Sequence, residues 1–326
     1  MEKITWGIIG VGDVCEVKSG PAFQKASNSE LRSVMRRDGE KAKDFAKRHG
    51  VLRWSDDADV LLNDPEINAI YIATPPDYHL EYTQRALVAG KHTYVEKPMA
   101  RSGAEARQIL ELAEGSKQKV VVAHYRRRLP LFMRIDELLK SGELGKPRHV
   151  SIQTIQPELD PLIALSEVNW RMQPDISGGG IFHDLAPHQL DLILQYFGPP
   201  EAIQGFSLMR NTDGSCDDCV SGQMRFRDDV LFQGHWDFAS VDGTIKDSCK
   251  IICDKGSIAF SFFRSPTLVV KSNNGIETSN YDPPEHIQQP MIEAVNDYFL
   301  GNDENPCSAG TGVQVMEMID AFVTKR

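Results

Sequence analysis

Two side chains in the sequence could move protons at a reacting oxygen atom, Lys97 and His188. Lys97 follows a short apolar run and precedes Pro98, which lacks a backbone donor and favours extended geometry in the residue before it. An ammonium held there could donate to a substrate oxygen and stabilise developing alkoxide charge. His188 carries an imidazole, a group whose unperturbed pKa is about 6.5 and which can exchange a proton at neutral pH. The alternatives are an ion pair between Lys97 and Glu96 and a structural, hydrogen-bonded role for His188.

Asp184 precedes His188 by four residues, so on a helix the two side chains share a face. Pro187 lies between them and predicts that the helix begins near Asp184, which would then be its N-cap. The same carboxylate could instead orient the imidazole or bind a substrate. Asp191 could also hold the imidazole, and His183 is a rival base.

A glycine-rich segment near the N-terminus reads Gly-Val-Gly-Asp-Val-Cys from Gly10 to Cys15, and fits G-x-G-x-x-G except at its last position. Gly10 allows a tight turn, Gly12 lets the backbone approach a pyrophosphate, and cysteine is small enough for the third position. Because the segment follows a predicted strand and opens a predicted helix, it predicts dinucleotide binding by Gly10, Gly12, Asp13 and Val14. The Asp13 carboxylate must point away from a pyrophosphate, and the alternative is a tight turn without a ligand.

Two arginines, Arg36 and Arg37, follow the second predicted strand. A site selective for NAD places an acidic residue at that strand tip, whereas guanidinium groups suit the 2′-phosphate of NADP. The sequence therefore favours NADP over NAD, and Asp38 leaves NAD open. The alternative is a pair of solvated surface arginines.

The elements that must position these residues change character along the chain. Over residues 1–124, short apolar strands alternate with helices, which predicts a parallel sheet in an α/β domain. Over residues 125–326, strands joined by turns predict a second domain with an open, mostly antiparallel sheet, and with helices near 185–197, 286–299 and 310–323. Turn residues stand at Asp213-Gly214, Asp242-Gly243 and Asn274-Gly275.

The composition of the 326 residues excludes several classes of protein. The hydrophobic fraction of 41% and the charged fraction of 25% are ordinary for a globular protein. A net charge of −10 argues against general binding to nucleic acid or to an anionic membrane. No apolar run approaches the length of a membrane span, and the first residues lack the basic start and long apolar segment of a signal peptide. We therefore expect a cytoplasmic protein.

The six cysteines are too few for a disulfide scaffold. Cys216 with Cys219 and Cys249 with Cys253 have spacings that a zinc site could use. They fall within or beside strand-like alternation, so we expect thiols that fill the core and no metal site.

Several segments, together with the glycine loop, resemble the motifs of one known protein family. They are Ala89-Gly90-Lys91-His92-Thr93-Tyr94-Val95-Glu96-Lys97-Pro98, residues 71–76 with His79, Asn169-Trp170-Arg171, and Ser177-Gly178-Gly179-Gly180 followed by Asp184, His188 and Asp191. The first resembles the signature A-G-K-H-x-x-x-E-K-P. In this order and at these separations, the segments resemble the family of glucose–fructose oxidoreductase, inositol dehydrogenase and rhizopine catabolism proteins (Gfo/Idh/MocA) over nearly the whole chain.

The resemblance implies a Rossmann domain followed by an α/β domain with a large open sheet. It also implies NAD(P)-dependent oxidation or reduction of a secondary alcohol or carbonyl of a sugar, cyclitol or related polyol. Lys97 would then polarise the substrate oxygen, His188 would exchange the proton, and Asp184 would assist or bind substrate. Further cofactor contacts are expected from Thr74, Pro75, His79, Glu96, Lys97, Trp170 and Arg171, and further substrate contacts from Tyr125 and Arg126.

Some relatives in this family associate through the open sheet, so the resemblance implies a homo-oligomer, a dimer or a tetramer. Two other activities also occur among relatives and stay open at this point. One is a glycosidase that uses bound NAD in a transient redox cycle, and the other is a nicotinamide-binding regulator without catalysis.

Overall fold

The computed structural model describes residues 2–157, 160, 169–210, 216–240 and 243–323. The turn expected at Asp213-Gly214 and the first residue of the Asp242-Gly243 turn lie outside the described residues. The chain forms two compact units. The first comprises the residues up to Arg126 together with Pro284–Met316, and the second comprises Arg127–Pro283 together with the residues from Glu317 onward.

The first unit extends the predicted domain of residues 1–124 to Arg126 and also includes a later segment of the chain. The segment Pro284–Met316, which the prediction placed in the second domain, packs with the first unit. This segment contributes Asn296 to the core: the indole Nε1 of Trp6 donates to the Asn296 side-chain oxygen at 3.0 Å. A boundary inferred from local pattern alone does not detect such a return of the chain.

The strands and helices form two series along the chain, which meet near Arg126. Those up to Arg126 are β1 (Ile4–Ile9), α1 (Gly20–Lys25), β2 (Ser29–Met35), α2 (Gly39–His49), β3 (Arg53–Ser55), α3 (Ala58–Leu62), β4 (Ala69–Ile72), α4 (His79–Val88), β5 (His92–Val95), α5 (Gly103–Glu114) and β6 (Val120–Val122). Those after it are α6 (Pro130–Ser141), β7 (Pro147–Ile155), α7 (Pro174–Ser177), α8 (Gly180–Phe197), β8 (Ala202–Leu208), β9 (Cys219–Arg225), β10 (Leu231–Asp237), β11 (Lys246–Cys253), β12 (Gly256–Phe260), β13 (Thr267–Ser272), β14 (Gly275–Asn280), α9 (Gln289–Leu300) and α10 (Ala309–Phe322).

The sheet of the first unit is parallel, with strand order β3-β2-β1-β4-β5-β6. Its central strands are buried along their whole length, as expected when helices cover both faces of a sheet. This order reverses direction between β1 and β4, which is where open α/β sheets bind ligands. The predicted parallel α/β domain is confirmed.

The helical segment after the glycine loop contains an irregular turn. Cys15–Ser19 form a π-helical turn that leads into α1, and the Gly20 N–H donates to the Cys15 carbonyl. Pro21, the second residue of α1, has no N–H to continue the regular pattern. A Cβ at Gly20 would lie 2.4 Å from the Cys15 oxygen, so this turn requires glycine.

The second unit contains an eight-stranded sheet with order β14-β13-β12-β11-β7-β10-β9-β8. The β7–β10 pair is parallel and the other pairs are antiparallel, which confirms the predicted mostly antiparallel sheet. Helix α8 is tied to the sheet by Gln189, whose amide donates to Thr154 Oγ1 at 2.9 Å and accepts from the Trp236 indole at 2.6 Å.

A row of glycines crosses three strands of this sheet. Gly205, Gly222 and Gly234 are direct partners on β8, β9 and β10. A Cβ at Gly205 or Gly222 would lie 2.5 Å from Phe322, and a Cβ at Gly234 would lie 2.2 Å from the Trp236 ring. Gly205 therefore makes room for the backbone of Phe322, Gly222 for its ring, and Gly234 for the Trp236 ring. Within the described part of the chain, no helix combines the length and the apolar content needed to cross a membrane.

Candidate active site

The glycine loop lies between the ends of β1 and β4. Gly10 has a φ of +97°, and a Cβ there would lie 2.8 Å from the Thr74 backbone nitrogen. A side chain at this position would therefore strain the turn and collide with the neighbouring loop. A Cβ at Gly12 would meet no atom within 4 Å, so nothing in the described chain covers the backbone on that side. Both features suit the close approach of a pyrophosphate, and the residues present fit a dinucleotide.

Cys15 occupies the small-residue position of the loop. Its side chain is fully buried, and burial raises the pKa of the thiol to about 12. The thiol therefore stays protonated and packs as a small core residue.

The two arginines after β2 have different surroundings. Arg36 is half-buried, and its Nη1 donates to the carbonyl of Val11 in the glycine loop at 3.2 Å. Arg37 is exposed and lies over the Tyr78 ring, 4.9 Å from its centroid, while donating to the Tyr78 hydroxyl at 2.9 Å. Arg36 is thus fixed beside the predicted cofactor loop. Asp38, the residue that left NAD open, caps α2 by accepting from the Lys41 N–H at 3.1 Å.

A buried carboxylate, Glu96, anchors the loop that carries Lys97. Its Oε1 accepts from the Tyr71 hydroxyl and, at 2.8 Å, from the amide of Gln288. Its Oε2 accepts from the backbone N–H of Lys97 at 3.0 Å. Burial, followed by the Glu96 charge, raises the pKa of Tyr71 well above its ordinary value, so this hydroxyl remains a donor. Glu96 is therefore held by the protein on both oxygens.

Lys97 itself lies at the carboxyl end of β5, where the parallel sheet places its ligands. Its side chain is half-exposed, and the peptide bond to Pro98 is cis.

Gln288 is a site residue that the sequence did not indicate. It is 1% exposed and stands just before α9, and its backbone N–H lies 3.4 Å from the carbonyl of Lys18 in the segment after the glycine loop. Its side chain reaches Glu96 across 192 residues of sequence. No local pattern marks this glutamine, so only the folded chain could identify it.

Both ring nitrogens of His79 lie near backbone carbonyl oxygens of the protein. Its Nδ1 lies 3.0 Å from the Pro98 carbonyl oxygen, and its Nε2 lies 2.9 Å from the Thr74 carbonyl oxygen. The ring is buried, and burial lowers its pKa. His79 thus links the loop after β4 to the loop after β5, and its expected contact with the cofactor stays a prediction.

The remaining predicted residues of the first unit lie at the ends of its strands. Thr74 and Pro75 are half-exposed after β4. Tyr125 and Arg126 are buried after β6, with the guanidinium carbon of Arg126 at 5.5 Å from the Tyr125 ring centroid.

In the second unit, the glycine triplet shapes the start of α8. Ser177 Oγ accepts from the N–H groups of Gly179 and Gly180 at 3.2 and 3.1 Å. His183 Nδ1 lies 3.1 Å from the Gly179 carbonyl oxygen, and a Cβ at Gly179 would lie 2.2 Å from the His183 ring. Burial lowers the pKa of His183 to about 4, so the ring is neutral at neutral pH. His183 therefore has a structural position at the start of the helix.

Asp184 is paired with a buried arginine. Arg171 Nε donates to its Oδ2 at 2.8 Å, and the Arg171 guanidinium lies 4.5 Å from the centroid of the Trp170 ring. The predicted N-cap role of Asp184 is wrong because α8 begins at Gly180 and runs through Pro187. One missing N–H within a buried helix is tolerated when the rest of the helix is well packed.

His188 lies on α8 and is 5% exposed. Its ring meets Phe263 in an edge-to-face contact, with centroids 6.0 Å apart. Asp191 is paired with Arg127, which donates to both of its carboxylate oxygens at 2.8 Å, and its expected role in holding the His188 imidazole stays a prediction.

Asp247 fixes the loop that carries Phe263. Its carboxylate accepts from the N–H groups of Phe263 at 2.6 Å and Arg264 at 3.0 Å. Like Gln288, Asp247 was not predicted from the sequence, since nothing in the local sequence distinguishes it from other acidic residues at strand ends.

Two family models match this chain, one over the residues of the glycine loop and Lys97 and one over those of α8. Residues 4–124 match the oxidoreductase family with an NAD-binding Rossmann fold, and residues 132–259 match the GFO/IDH/MocA C-terminal domain. Oxidoreductase P35 of Formosa agariphila is 48% identical over 320 residues, covering 98% of each chain. The chain belongs to the GFO/IDH/MocA oxidoreductase family.

Two further proteins are more distant. The scyllo-inositol 2-dehydrogenase (NADP(+)) IolW of Bacillus subtilis is 28% identical over 206 residues, which are 62% of this chain and 54% of that protein. A levoglucosan dehydrogenase, solved in complex with NADH and L-sorbose, has the same fold, with a TM-score of 0.83, 23% identity, and coverage of 98% of this chain and 96% of that chain.

The predicted family and fold are therefore confirmed. The chain is an NAD(P)-dependent oxidoreductase of the GFO/IDH/MocA family.

Proposed function

We propose that this oxidoreductase interconverts a secondary alcohol and the corresponding carbonyl on a sugar, cyclitol or related polyol, with NADP as the preferred cofactor. The observation that supports the catalytic assignment best is the anchoring of Lys97. Its backbone N–H is held at 3.0 Å by a buried carboxylate, just beyond the end of β5, an inner strand of the Rossmann sheet. In this proposal, the loop places the Lys97 ammonium near a substrate oxygen at the carboxyl edge of the sheet, where parallel sheets bind their ligands.

In this proposal, bound NADP or NAD supplies hydride transfer at its nicotinamide ring. The Lys97 Nζ donates to the reacting oxygen and stabilises negative charge on it. His188 takes the hydroxyl proton during oxidation and returns it during reduction. Asp184, neutralised in part by Arg171, binds substrate beside His188. Tyr125 and Arg126 contribute further substrate contacts.

The assay is a nicotinamide absorbance screen of the full-length protein. Sugars, cyclitols, diols and their keto forms are tested with NADP and NAD in both directions. On the substrate found, Lys97→Ala and His188→Ala should each lower kcat by about 10²-fold or more. Lys117→Ala, at an exposed position, is the matched control. Near-normal turnover by both active-site variants would refute the assignment.

The same screen distinguishes the other two activities. Cleavage of a glycoside without net change in nicotinamide absorbance would favour the glycosidase. Tight cofactor binding without turnover across the panel would favour the regulator.

The preference for NADP rests on Arg36, which is bonded to the glycine loop. Arg36→Ala and Arg37→Ala should each raise the KM for NADP about tenfold, since a hydrogen bond to a charged group contributes about 1.5–3 kcal/mol. The KM for NAD should change little. Arg53→Ala, at an exposed arginine on β3, is the control, and equal effects on both cofactors would contradict the preference.

The homo-oligomer is proposed to form through the open face of the eight-stranded sheet. That face exposes Phe206 at 68%, Leu208 at 52% and Leu231 at 56% of their surfaces. Exposed apolar side chains in one region are typical of an interface. Light scattering should report a dimer or tetramer that Phe206→Lys dissociates, whereas Val88→Lys, at an exposed position on α4, should not. A monomeric wild type would refute this part of the proposal.

A further inference from the structure

Three side chains of different ligand type converge on the strands β9 and β10. Cys219, His235 and Asp237 each bring one ligand atom to within 4.8 Å of the other two. The register explains the convergence, because Cys219 and Asp237 are direct partners across the two strands. His235 precedes Asp237 by two residues, so its side chain leaves the same face of the sheet.

The imidazole and the carboxylate of this cluster are also oriented by neighbours. His235 Nδ1 lies 2.8 Å from Ser221 Oγ, which leaves Nε2 as the nitrogen for another partner. Asp237 Oδ1 accepts from the Ala239 N–H at 2.9 Å. Hydrogen bonds of this kind fix the direction of metal ligands in proteins.

We propose that Cys219, His235 and Asp237 bind a zinc ion that bridges β9 and β10. Sulfur, nitrogen and carboxylate oxygen are the three donor types that Zn²⁺ takes, whereas Mg²⁺ and Ca²⁺ prefer oxygen alone. On binding, a sulfur–zinc bond replaces the S–H bond of Cys219, and the proton passes to solvent. A water completes a tetrahedral set of four ligands. The site departs from our expectation of no metal and does not use the four-cysteine spacing considered in the sequence.

Arg210 competes with the cation for this site. Its Nη1 lies 3.3 Å from Asp237 Oδ2, in an ion pair whose arginine side chain is 52% exposed. Exposed ion pairs contribute little to stability, so a dication with three ligands displaces the guanidinium. This competition gives the proposal a distinctive consequence: removal of Arg210 should strengthen metal binding.

The test is a Co²⁺ titration of the full-length protein after treatment with a chelator. Wild type should bind one equivalent of Co²⁺ with a thiolate-to-cobalt charge-transfer band, and Zn²⁺ should abolish the band. Cys219→Ser should lose the band, and His235→Gln and Asp237→Asn should weaken binding at least tenfold. Arg210→Ala should tighten binding by up to about fivefold. His149→Gln, on neighbouring strand β7 and outside the cluster, is the control.

Two results would overturn the proposal. One is a wild type without a thiolate band, and the other is a band of equal strength in Cys219→Ser. If the variants fail to fold, thiol labelling of wild type decides the question. Zn²⁺ should protect Cys219 from alkylation and leave Cys253 unaffected, since both thiols are similarly buried. Equal rates at Cys219 with and without Zn²⁺ would refute the site.

Discussion

Replacing Gln288 by methionine tests whether the buried network positions Lys97. Methionine keeps the length and much of the volume of the side chain but removes the amide that donates to Glu96 at 2.8 Å. Glu96 Oε1 then keeps the Tyr71 hydroxyl, and Oε2 keeps the Lys97 N–H. The variant therefore loosens the carboxylate without removing it.

The expected size of the effect follows from the charge of Glu96. A hydrogen bond to a charged group contributes about 1.5–3 kcal/mol, so the free energy of unfolding should fall by about 2 kcal/mol. If about 1.4 kcal/mol of that energy holds the Lys97 loop in place in the transition state, kcat falls about tenfold. The KM for substrate should change less than kcat, since the lost contact orients Lys97 and does not touch the substrate.

The measurements are the thermal unfolding midpoint and steady-state kinetics on the substrate found by the screen. Gln289→Met is the matched control, because the side-chain amide of this neighbouring glutamine donates to Glu293 of its own helix. Gln288→Asn should fall between wild type and Gln288→Met if the amide is what matters. Stability and kcat of Gln288→Met equal to those of Gln289→Met would refute the reasoning.

Three further changes probe other parts of the fold. Burial lowers the folded-state pKa of His183 to about 4, so only the unfolded chain takes up a proton between about pH 6.5 and pH 4. The free energy of unfolding should therefore decline as the pH falls through that range. Urea midpoints measured at several pH values should decline less steeply for His183→Gln than for wild type. Gly10→Ala combines a φ of +97° with a collision, so cofactor titration should report weaker binding along with a lower melting temperature. Arg127→Met removes the guanidinium that donates to both oxygens of the buried Asp191 carboxylate and should cost about 3–5 kcal/mol by denaturant unfolding, while the double variant with Asp191→Leu should recover most of it. The first expectation is contradicted if the urea midpoints of His183→Gln depend on pH as those of wild type do. The second is contradicted if Gly10→Ala binds the cofactor as tightly as wild type, and the third if the double variant recovers no stability.

The sequence predicted what depends on local pattern. The glycine loop and the position of Lys97 after β5 follow from short motifs whose geometry is set by neighbouring residues. The start of α8 was predicted too late, at Asp184, because a proline within a helix is uncommon and the preceding glycines gave no helix signal. The cytoplasmic location and the preference for NADP stay predictions.

Contacts between distant parts of the sequence could not be predicted in this way. Gln288 meets Glu96, and Asp247 holds the Phe263 loop, through partners that no spacing rule connects. The cluster of Cys219 with Asp237 likewise depends on strand register, which is set only when the sheet forms. A single sequence contains these residues but not their neighbours.

The return of Pro284–Met316 to the first unit also has a consequence for synthesis of the protein. During translation the Rossmann strands leave the ribosome early. The hydrogen-bond partners of Trp6 and Glu96, which are Asn296 and Gln288, are synthesised only after most of the chain has been made. The cofactor half therefore cannot reach its final packing as an independent N-terminal domain. A ribosome-bound chain ending at residue 283 should bind nicotinamide dinucleotide weakly and be cut readily by protease, and release of the full chain should end both behaviours together.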